Sequence, residues 1–313
     1  METPATIETE SAAPLLRAVL INGVARLAAA GVAGAPLDAE LLLGHALGLT
    51  REQLLVSSSL PLSEAQVRLY AELLSRRIAR EPIAYILGRQ EFWSLEFQVT
   101  PDVLIPRPET ERLVEVAVEL ARDFPGAPPS KILDVGTGSG VIAICLAKEL
   151  PTSSIWASDV SAPALSVAQS NASRHQVEER IHFLQGDLFA PVRDAAARFD
   201  LIVANPPYIR SAEIDRLEPE IRGWEPRGAL DGGIDGLDFY RQIAAQAYLY
   251  LTPHGAVFLE IGADLASQVK SLFLDAAGYA DMEIFCDCAN RDRVVVARKS
   301  LSKGDSTRKQ ARG

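Results

Sequence analysis

The chain has 313 residues, a formal net charge of −10, 48% hydrophobic residues and 23% charged residues. This balance is typical of a soluble globular protein with one large or two ordinary domains, and it disfavours a broad electrostatic grip on nucleic-acid phosphates. Three scattered cysteines exclude a disulfide framework, and no secretory signal or membrane span is visible, so the sequence predicts a cytoplasmic protein.

The two ends of the chain are polar. Residues 1–11 are acidic and residues 299–313 are basic, and we predict that both are disordered. Residues 12–88 repeat leucine and alanine at helical spacing and contain no strand pattern. This segment therefore predicts a small all-α bundle.

One helix of this bundle has a clear start signal. Ser63 followed by Gln66 has the form of a capping box, in which each side chain binds a free backbone N–H at the helix start. Further along, Arg76, Arg77 and Arg80 predict a basic edge that is solvated.

Residues 89–128 form the predicted connection to the rest of the chain. Large and polar residues alternate over positions 91–100, which predicts a β-hairpin. Then follows Val103-Leu104-Ile105-Pro106-Arg107-Pro108-Glu109-Thr110-Glu111. Two interpretations stay open for it: a helix start in which Thr110 caps the helix beginning at Arg112, or a rigid segment that lines a ligand pocket.

Residues 129–298 alternate apolar strand patterns with helical patterns, which predicts a mainly parallel, seven-stranded sheet covered by helices on both faces. The predicted strands are 131–135, 154–158, 181–185, 199–204, 255–261, 279–286 and 292–298. The predicted helices are 139–149, 162–174, 237–250 and 264–276.

Polar and glycine residues follow the first three of these strands. Gly136-Thr137-Gly138-Ser139-Gly140 joins a strand to a helix and brings backbone close to a ligand. Its G-x-G-x-G spacing suits a nucleoside ending in an amino acid better than a dinucleotide. Asp159 is placed to accept two ribose hydroxyls. Asp187 can accept from an adenine amine while Leu188 packs on the ring.

Asn205-Pro206-Pro207-Tyr208 ends the fourth strand. The two prolines fix the turn, and a side-chain amide, rigid carbonyls and an aromatic ring can together grip a planar NH2 group. By itself the tetrapeptide is equally compatible with a structural Asx-Pro turn. Its position at the same sheet edge as the three preceding motifs favours a binding site.

Together these motifs resemble the Rossmann-like class I methyltransferases that depend on S-adenosyl-L-methionine (SAM). Asn-Pro-Pro-Tyr narrows the resemblance to enzymes that methylate planar amino or amide nitrogens. Positions 80–88, 91–93, 104–111 and 291–295 resemble the HemK/PrmC family, the glutamine-N5 methyltransferases of peptide chain release factors. The resemblance covers about residues 12–298.

The resemblance implies SAM as methyl donor, S-adenosyl-L-homocysteine as product, no metal, and class-1 release factors with a Gly-Gly-Gln motif as substrate. It implies that residues 12–88 recognise the substrate and residues 129–298 form the methyltransferase domain. The implied catalytic residues are Asn205, Pro206 and Tyr208, and these with Pro207 bind the substrate. The implied SAM contacts are Gly136, Thr137, Gly138, Ser139, Gly140, Asp159, Asp187, Leu188 and Asn205.

Three other functions stay open at this point. A ribosomal-protein glutamine methyltransferase shares the chemistry, but the 107–111 segment favours the release-factor branch. A DNA adenine-N6 methyltransferase shares Asn-Pro-Pro-Tyr, but the insertion at 209–236 is short and mixed in charge. A SAM-binding module without activity is disfavoured because every glycine and Asn205 are retained.

Overall fold

The computed structural model describes residues 13–125, 128–193 and 198–300. The predicted disorder of residues 1–11 and of residues 301–313 lies outside the described residues. Lys299, which the predicted boundary assigns to the tail, is the last residue of a strand. The chain divides into two compact units, with the division between Leu87 and Gly88.

The N-terminal unit is all helical in its described part. Its core consists mainly of leucines, with Val32, Ala35, Ala39, Ile86 and a fully buried Tyr70. The capping box at Ser63 and Gln66 is confirmed, with both reciprocal hydrogen bonds present. The helices are α1 (Leu16–Ala29), α2 (Ala35–Leu47), α3 (Arg51–Val56), α4 (Glu64–Ile78) and α5 (Ile83–Leu87).

The predicted basic edge of this unit is wrong for Arg77. Arg77 is buried, and its Nε donates to Asp38 Oδ2 at 2.7 Å. Arg76 pairs with Glu81, and Arg80 donates to a backbone carbonyl of the α1–α2 connection. Arg77 is therefore part of the interior of the unit, whereas the side chain of Arg76 remains 46% exposed beside its partner Glu81.

The C-terminal unit begins with the predicted hairpin of β1 (Arg89–Phe92) and β2 (Leu95–Gln98). The remaining strands are β3 (Lys131–Val135), β4 (Ser154–Asp159), β5 (Ile181–Gln185), β6 (Phe199–Ala204), β7 (Leu251–Glu260), β8 (Tyr279–Cys286) and β9 (Asp292–Lys299). The remaining helices are α6 (Glu111–Arg122), α7 (Val141–Glu149), α8 (Ala162–Arg174), α9 (Ser211–Ile214), α10 (Pro219–Trp224), α11 (Asp238–Gln246) and α12 (Ala266–Asp275).

Strands β3 to β9 form one sheet in the order β5-β4-β3-β6-β7-β9-β8. Neighbours pair in parallel except β9, which is antiparallel to β7 and β8. This confirms the predicted α/β fold with a mainly parallel seven-stranded sheet. Alternate residues of a strand point to opposite faces, so Ile132 packs with α6 and α7 while Leu133 packs with α11 and α12.

The sheet order reverses direction at β3. The chain runs outward from β3 to β4 and β5, and then returns to place β6 on the other side of β3. In open parallel sheets this reversal leaves a crevice at the carboxyl ends of the two strands, where ligands bind. Val135 and Ala204 lie side by side at that edge, so the residues that follow them face the same crevice.

No helix in the described ranges is long and apolar enough to cross a membrane.

Candidate active site

A cavity of about 230 Å³ lies at this crevice. One water needs about 10–15 Å³, so the cavity has room for a small molecule. Its wall includes eight of the residues that the sequence predicted, contributed by the ends of β3, β4, β5 and β6. These are Gly136, Gly138, Asp159, Asp187, Leu188, Asn205, Pro206 and Pro207.

The glycine turn after β3 has a left-handed backbone conformation. Gly136 and Gly138 have φ of 75° and 54°, which side chains other than glycine rarely adopt. Beneath the turn, Asp134 is fully buried and accepts from the Thr137 hydroxyl at 2.6 Å and from the Ala143 N–H at 3.2 Å. The carboxylate therefore ties the turn to the first residues of α7.

Asp159 lies across from this turn at the end of β4. Its Oδ2 accepts from the Gly138 N–H and its Oδ1 from the Ser161 N–H, each at 2.9 Å. A carboxylate oxygen has two lone pairs, so both oxygens keep one acceptor position. Asp159 therefore orients the glycine turn and can still accept two further hydrogens from a ligand in the cavity.

Asp187 and Leu188 follow β5 on the same cavity wall. Leu188 has a φ of 45°, a strained conformation for a residue with a side chain. Such strain persists where the surroundings impose it and is concentrated at ligand sites. The strained turn places both residues beside the cavity.

The Asn205 turn closes the other side of the cavity. A Cβ on Gly232 would lie 2.8 Å from the Pro207 carbonyl oxygen and 2.7 Å from the Tyr208 Cα, so only glycine lets the 232–236 loop pack so closely. The Asn205 Nδ2 donates to Thr110 Oγ1 at 3.1 Å, while its Oδ1 makes no hydrogen bond within the described part of the chain. The bond to Thr110 therefore holds the Asn205 side chain in place and leaves its Oδ1 able to accept a hydrogen bond from a ligand.

The bond from Asn205 corrects one prediction. Thr110 precedes α6, but its side chain makes no cap to that helix. Its backbone is helical rather than extended, so the hydroxyl is not aimed at the free N–H groups of the first turn. Thr110 instead contacts the Asn205 turn, a contact that spacing along the chain cannot reveal.

Glu260 is a buried carboxylate behind the same turn and was not predicted from the sequence. Its Oε1 accepts from the Tyr208 hydroxyl at 3.4 Å, and its Oε2 has no hydrogen-bond partner. Burial raises its pKa to about 7, although the Thr110 hydroxyl and the Arg293 guanidinium oppose the shift. Burial together with the Glu260 charge raises the pKa of Tyr208 to about 12, so the phenol is neutral at physiological pH.

The segment preceding α6 also lines the cavity, through Asp102, Val103 and Leu104. Its next residues are anchored by Glu225, a buried carboxylate from the insertion after β6. Glu225 accepts from the Ile105 N–H at 3.0 Å and forms an ion pair with Arg107. Of the two interpretations left open for this stretch, the pocket wall holds for Val103 and Leu104, whereas Arg107 to Glu111 do not lie on the wall. Through the contacts of Glu225, the segment before α6 and the insertion after β6 hold each other in place.

Comparison with known proteins finds relatives that match most of the chain. The sequence model of the family described as PrmC N-terminal domain matches residues 18–88. The sequence model of the family described as Methyltransferase small domain matches residues 116–217. A protein of Geobacter sulfurreducens named release factor glutamine methyltransferase is 46% identical, covering 87% of this chain and 92% of its own. One of the same name from Moorella thermoacetica is 44% identical, covering 90% of this chain and 98% of its own.

The chain belongs to the release factor glutamine methyltransferase family. It is a methyltransferase, and the resemblance seen in its motifs is confirmed. Among solved structures, the hMettl16 catalytic domain in complex with MAT2A 3'UTR hairpin 6 has a TM-score of 0.52, covering 74% of this chain and 83% of that chain. At 17% identity that likeness shows the shared class I fold and no more.

Four predicted site residues do not form part of the cavity wall. Thr137 and Ser139 are buried within the glycine turn, and Gly140 packs on Ala168. Tyr208 lies behind the Asn205 turn, against Glu260. Their predicted contacts with ligands stay predictions.

The cavity also contains residues that the sequence did not single out. They follow β4 or lie in α8, in the insertion after β6 and in α11, and their pattern is that of any packed helix or loop. These are Val160, Ser161, Ala164, Pro226, Gly228, Ala229, Phe239 and Ile243. Within the described ranges, no group of three His, Cys, Asp or Glu side chains is arranged to hold a metal ion.

Asp134 predicts a measurable pH dependence of stability. Burial raises its pKa to about 7 in the folded protein, from an ordinary value near 4 when unfolded. The folded state therefore binds a proton as pH falls from 8 to 6, while the unfolded state does not. This proton should stabilise the fold by roughly 1 kcal/mol at pH 6 relative to pH 8.

Asp134→Asn should remove that increment, since asparagine keeps an acceptor for Thr137 but does not titrate. All three tryptophans, Trp93, Trp156 and Trp224, lie in the C-terminal unit, so their fluorescence during urea unfolding reports on that unit. An equal pH increment in the wild type and the variant would contradict the assignment.

Proposed function

We propose that the protein transfers the methyl group of SAM to the side-chain N5 of the glutamine in the Gly-Gly-Gln motif of class-1 peptide chain release factors. The observation that carries the proposal is the position of Asn205, Pro206 and Pro207 on the wall of a cavity that also contains the glycine turn. The family's relatives, named for release factor glutamine, support the choice of substrate.

The residues on the cavity wall fit SAM chemically. Asp159 keeps two acceptor positions for ribose hydroxyls, and Asp187 and Leu188 suit an adenine edge and face. The turn at Gly136 and Gly138 offers backbone to the amino-acid end. When bound, SAM supplies an electrophilic methyl group on a sulfonium, a good leaving group.

The protein's own contribution is to orient the amide and to stabilise the charge that develops on it. An amide nitrogen is a poor nucleophile because its lone pair is delocalised into the carbonyl. Asn205 Oδ1 and the Pro206 carbonyl accept the two amide hydrogens, which turns the lone pair toward the methyl group. These bonds strengthen as positive charge builds on nitrogen, so they bind the transition state more tightly than the ground state.

Tyr208 completes the proposed site. Its ring packs against the amide plane and excludes water, while its hydroxyl remains bonded to Glu260. The phenol is not proposed as a base, because its pKa is raised to about 12. After the transfer the glutamine nitrogen carries two hydrogens and a positive charge, and one of these hydrogens is lost as a proton to bulk water.

The other domain assignments follow as part of the same proposal. Residues 12–88 recognise the release factor, residues 89–128 connect the two domains, and residues 129–298 catalyse the methyl transfer. The match of residues 18–88 to a PrmC N-terminal domain supports the first of these. The few scattered cysteines and a substrate of the translation machinery support a cytoplasmic location.

DNA is a less suitable substrate. A nucleic-acid interface needs cations that are free to meet phosphates. In the insertion after β6, Arg210 pairs with Asp264 and Glu213, and Arg227 pairs with Asp231. These paired charges favour a protein substrate over a polyanion.

Tritiated SAM tests the proposal directly. We expect label on a release factor, and none on its Gly-Gly-Ala version or on duplex DNA. A ribosomal-protein extract serves as a fourth substrate, because the related glutamine methyltransferases act there. Label on DNA or ribosomal protein alone, or on no substrate, would refute the proposed function.

A further inference from the structure

A fully buried side-chain amide, that of Asn171 in α8, lies next to the glycine turn without being part of the cavity wall. Its Nδ2 donates to the Ser139 carbonyl at 2.9 Å and to the Gln98 carbonyl at 3.0 Å. Its Oδ1 accepts from the Gln98 N–H at 2.7 Å. Both amide hydrogens and one acceptor position are therefore used, at distances that are normal for hydrogen bonds.

These three partners determine both the orientation and the identity of the side chain. A flipped amide would direct its oxygen at two carbonyls and its NH2 at the Gln98 N–H, so only one orientation is compatible with the surroundings. Asparagine is a poor helix former, and burying its amide is costly unless the amide is hydrogen-bonded. The contacts to Ser139 and Gln98, rather than the stability of α8, therefore account for an asparagine at this position.

The Asn171 amide connects two segments that lead to different walls of the cavity. Ser139 belongs to the glycine turn and follows Gly138, which lies on the wall. Gln98 is the last residue of β2, and from there the chain continues to the wall segment Asp102 to Leu104. One side chain thus fixes the glycine turn relative to the segment that precedes α6.

Helix α8 holds both segments by further contacts. A Cβ on Gly140 would lie 3.1 Å from the Ala168 Cβ, so the end of the glycine turn packs closely on the helix. The Ser170 hydroxyl donates to Gln98 Oε1 at 2.9 Å. The helix is therefore a common support for β2 and the glycine turn, and Asn171 bonds to both.

We propose that Asn171 is a positioning residue for the cofactor, which holds the glycine turn in its binding conformation through the Ser139 carbonyl. The inference rests on the proposed function, in which this turn offers backbone to the amino-acid end of SAM. Without the amide, the glycines of the turn can adopt other backbone conformations. Binding of SAM must then also order the turn, and that cost lowers the affinity.

The first test is Asn171→Ala, measured by titration calorimetry with S-adenosylhomocysteine. The Kd should rise about 5- to 30-fold, the worth of one to two hydrogen bonds. At saturating SAM, kcat and the KM for the release factor should stay at the wild-type values, because the Asn205 turn is unchanged. Asn171→Asp keeps an acceptor for the Gln98 N–H but loses the donor to Ser139, so it should bind no more tightly than Asn171→Ala.

Ser153→Ala is the matched control for a loss of stability. Ser153 is buried just before β4, and its hydroxyl donates to the Pro129 carbonyl at 2.6 Å. The variant therefore also loses a buried hydrogen bond, but at the opposite end of the strand from the cavity, and should keep the wild-type Kd. If Asn171→Ala lowers the urea midpoint and likewise keeps the wild-type Kd, the positioning role is refuted.

The second test uses the wild type and does not depend on the folding of a variant. Amide hydrogen exchange is measured with and without S-adenosylhomocysteine. Because coupling between two sites is reciprocal, the ligand should slow exchange of the Gln98 N–H by about 5- to 30-fold more than that of the Ser154 N–H. The Ser154 N–H donates to the Ser130 carbonyl at the far end of the sheet. Equal slowing of the two amides would contradict the proposal.

The outcomes separate this inference from the proposed function. A wild-type protein that binds S-adenosylhomocysteine but does not label the release factor refutes the function and not the role of Asn171. A wild-type protein that labels the release factor, with an unchanged Kd in Asn171→Ala, refutes the role of Asn171 and not the function.

Discussion

Asn205→Ala should lower kcat for release-factor methylation by roughly 100- to 1,000-fold, the usual effect of removing one transition-state hydrogen-bond partner. Asn205 lines the cavity, and its Oδ1 makes no hydrogen bond in the described part of the chain, so alanine removes an acceptor that is available to the substrate. Because the bond strengthens as charge develops, KM for the release factor should change little. Initial rates at saturating SAM measure both constants.

Gln268→Ala is the matched control, because Gln268 is an exposed amide side chain on α12, outside the proposed substrate-recognition domain. It should leave kcat unchanged. An Asn205→Ala enzyme with wild-type kcat and a raised KM would contradict a role in the transition state and would reduce Asn205 to a binding contact.

Asp159→Ala should weaken SAM binding by about 1.5–3 kcal/mol, the usual range for a hydrogen bond to a charged group, which corresponds to about 10- to 150-fold in Kd. The structure gives Asp159 a second task, since it also holds the Gly138 and Ser161 N–H groups. Titration calorimetry with S-adenosylhomocysteine and its 2′-deoxyribose analogue separates the two. If Asp159 contacts the ribose hydroxyls, Asp159→Ala should bind both ligands with the same affinity, because the contact to the missing hydroxyl is already lost.

Asp275→Ala tests the same change at an exposed position at the end of α12 and should keep wild-type affinity. Wild-type affinity of Asp159→Ala would refute its assignment as a SAM contact. Weakened binding that still discriminates the deoxyribose analogue would instead show that Asp159 acts only by holding the glycine turn.

Much of the fold followed from local rules. Strand and helix periods differ, so the alternation of short apolar runs with helical patterns predicted the sheet, and β3, β5, β6 and β8 have the predicted bounds. The helix after the glycine turn begins later than predicted, at Val141. The turn itself occupies those residues, because left-handed glycine conformations interrupt the helix.

The candidate site shows which residues can be predicted from neighbouring sequence and which cannot. Residues that follow parallel strands meet at one sheet edge by topology, so Gly136, Asp159, Asp187 and Asn205 were found from their positions along the chain. Glu260 follows the same rule, at the end of β7. It was not singled out because no motif surrounds it and its burial is invisible in the sequence.

The sequence by itself determined the motifs of the proposed chemistry: the glycine turn, the strand-end carboxylate and the Asn-Pro-Pro-Tyr turn proposed as the amide grip are short motifs whose geometry is set by neighbouring residues. Only the tertiary structure decided how that grip is supported. Thr110 and Asn205 are 95 residues apart, yet their side chains are in contact. A helix cap was the local expectation for Thr110. The hydroxyl went to Asn205 because backbone conformation and packing, not spacing, determine where a hydroxyl points.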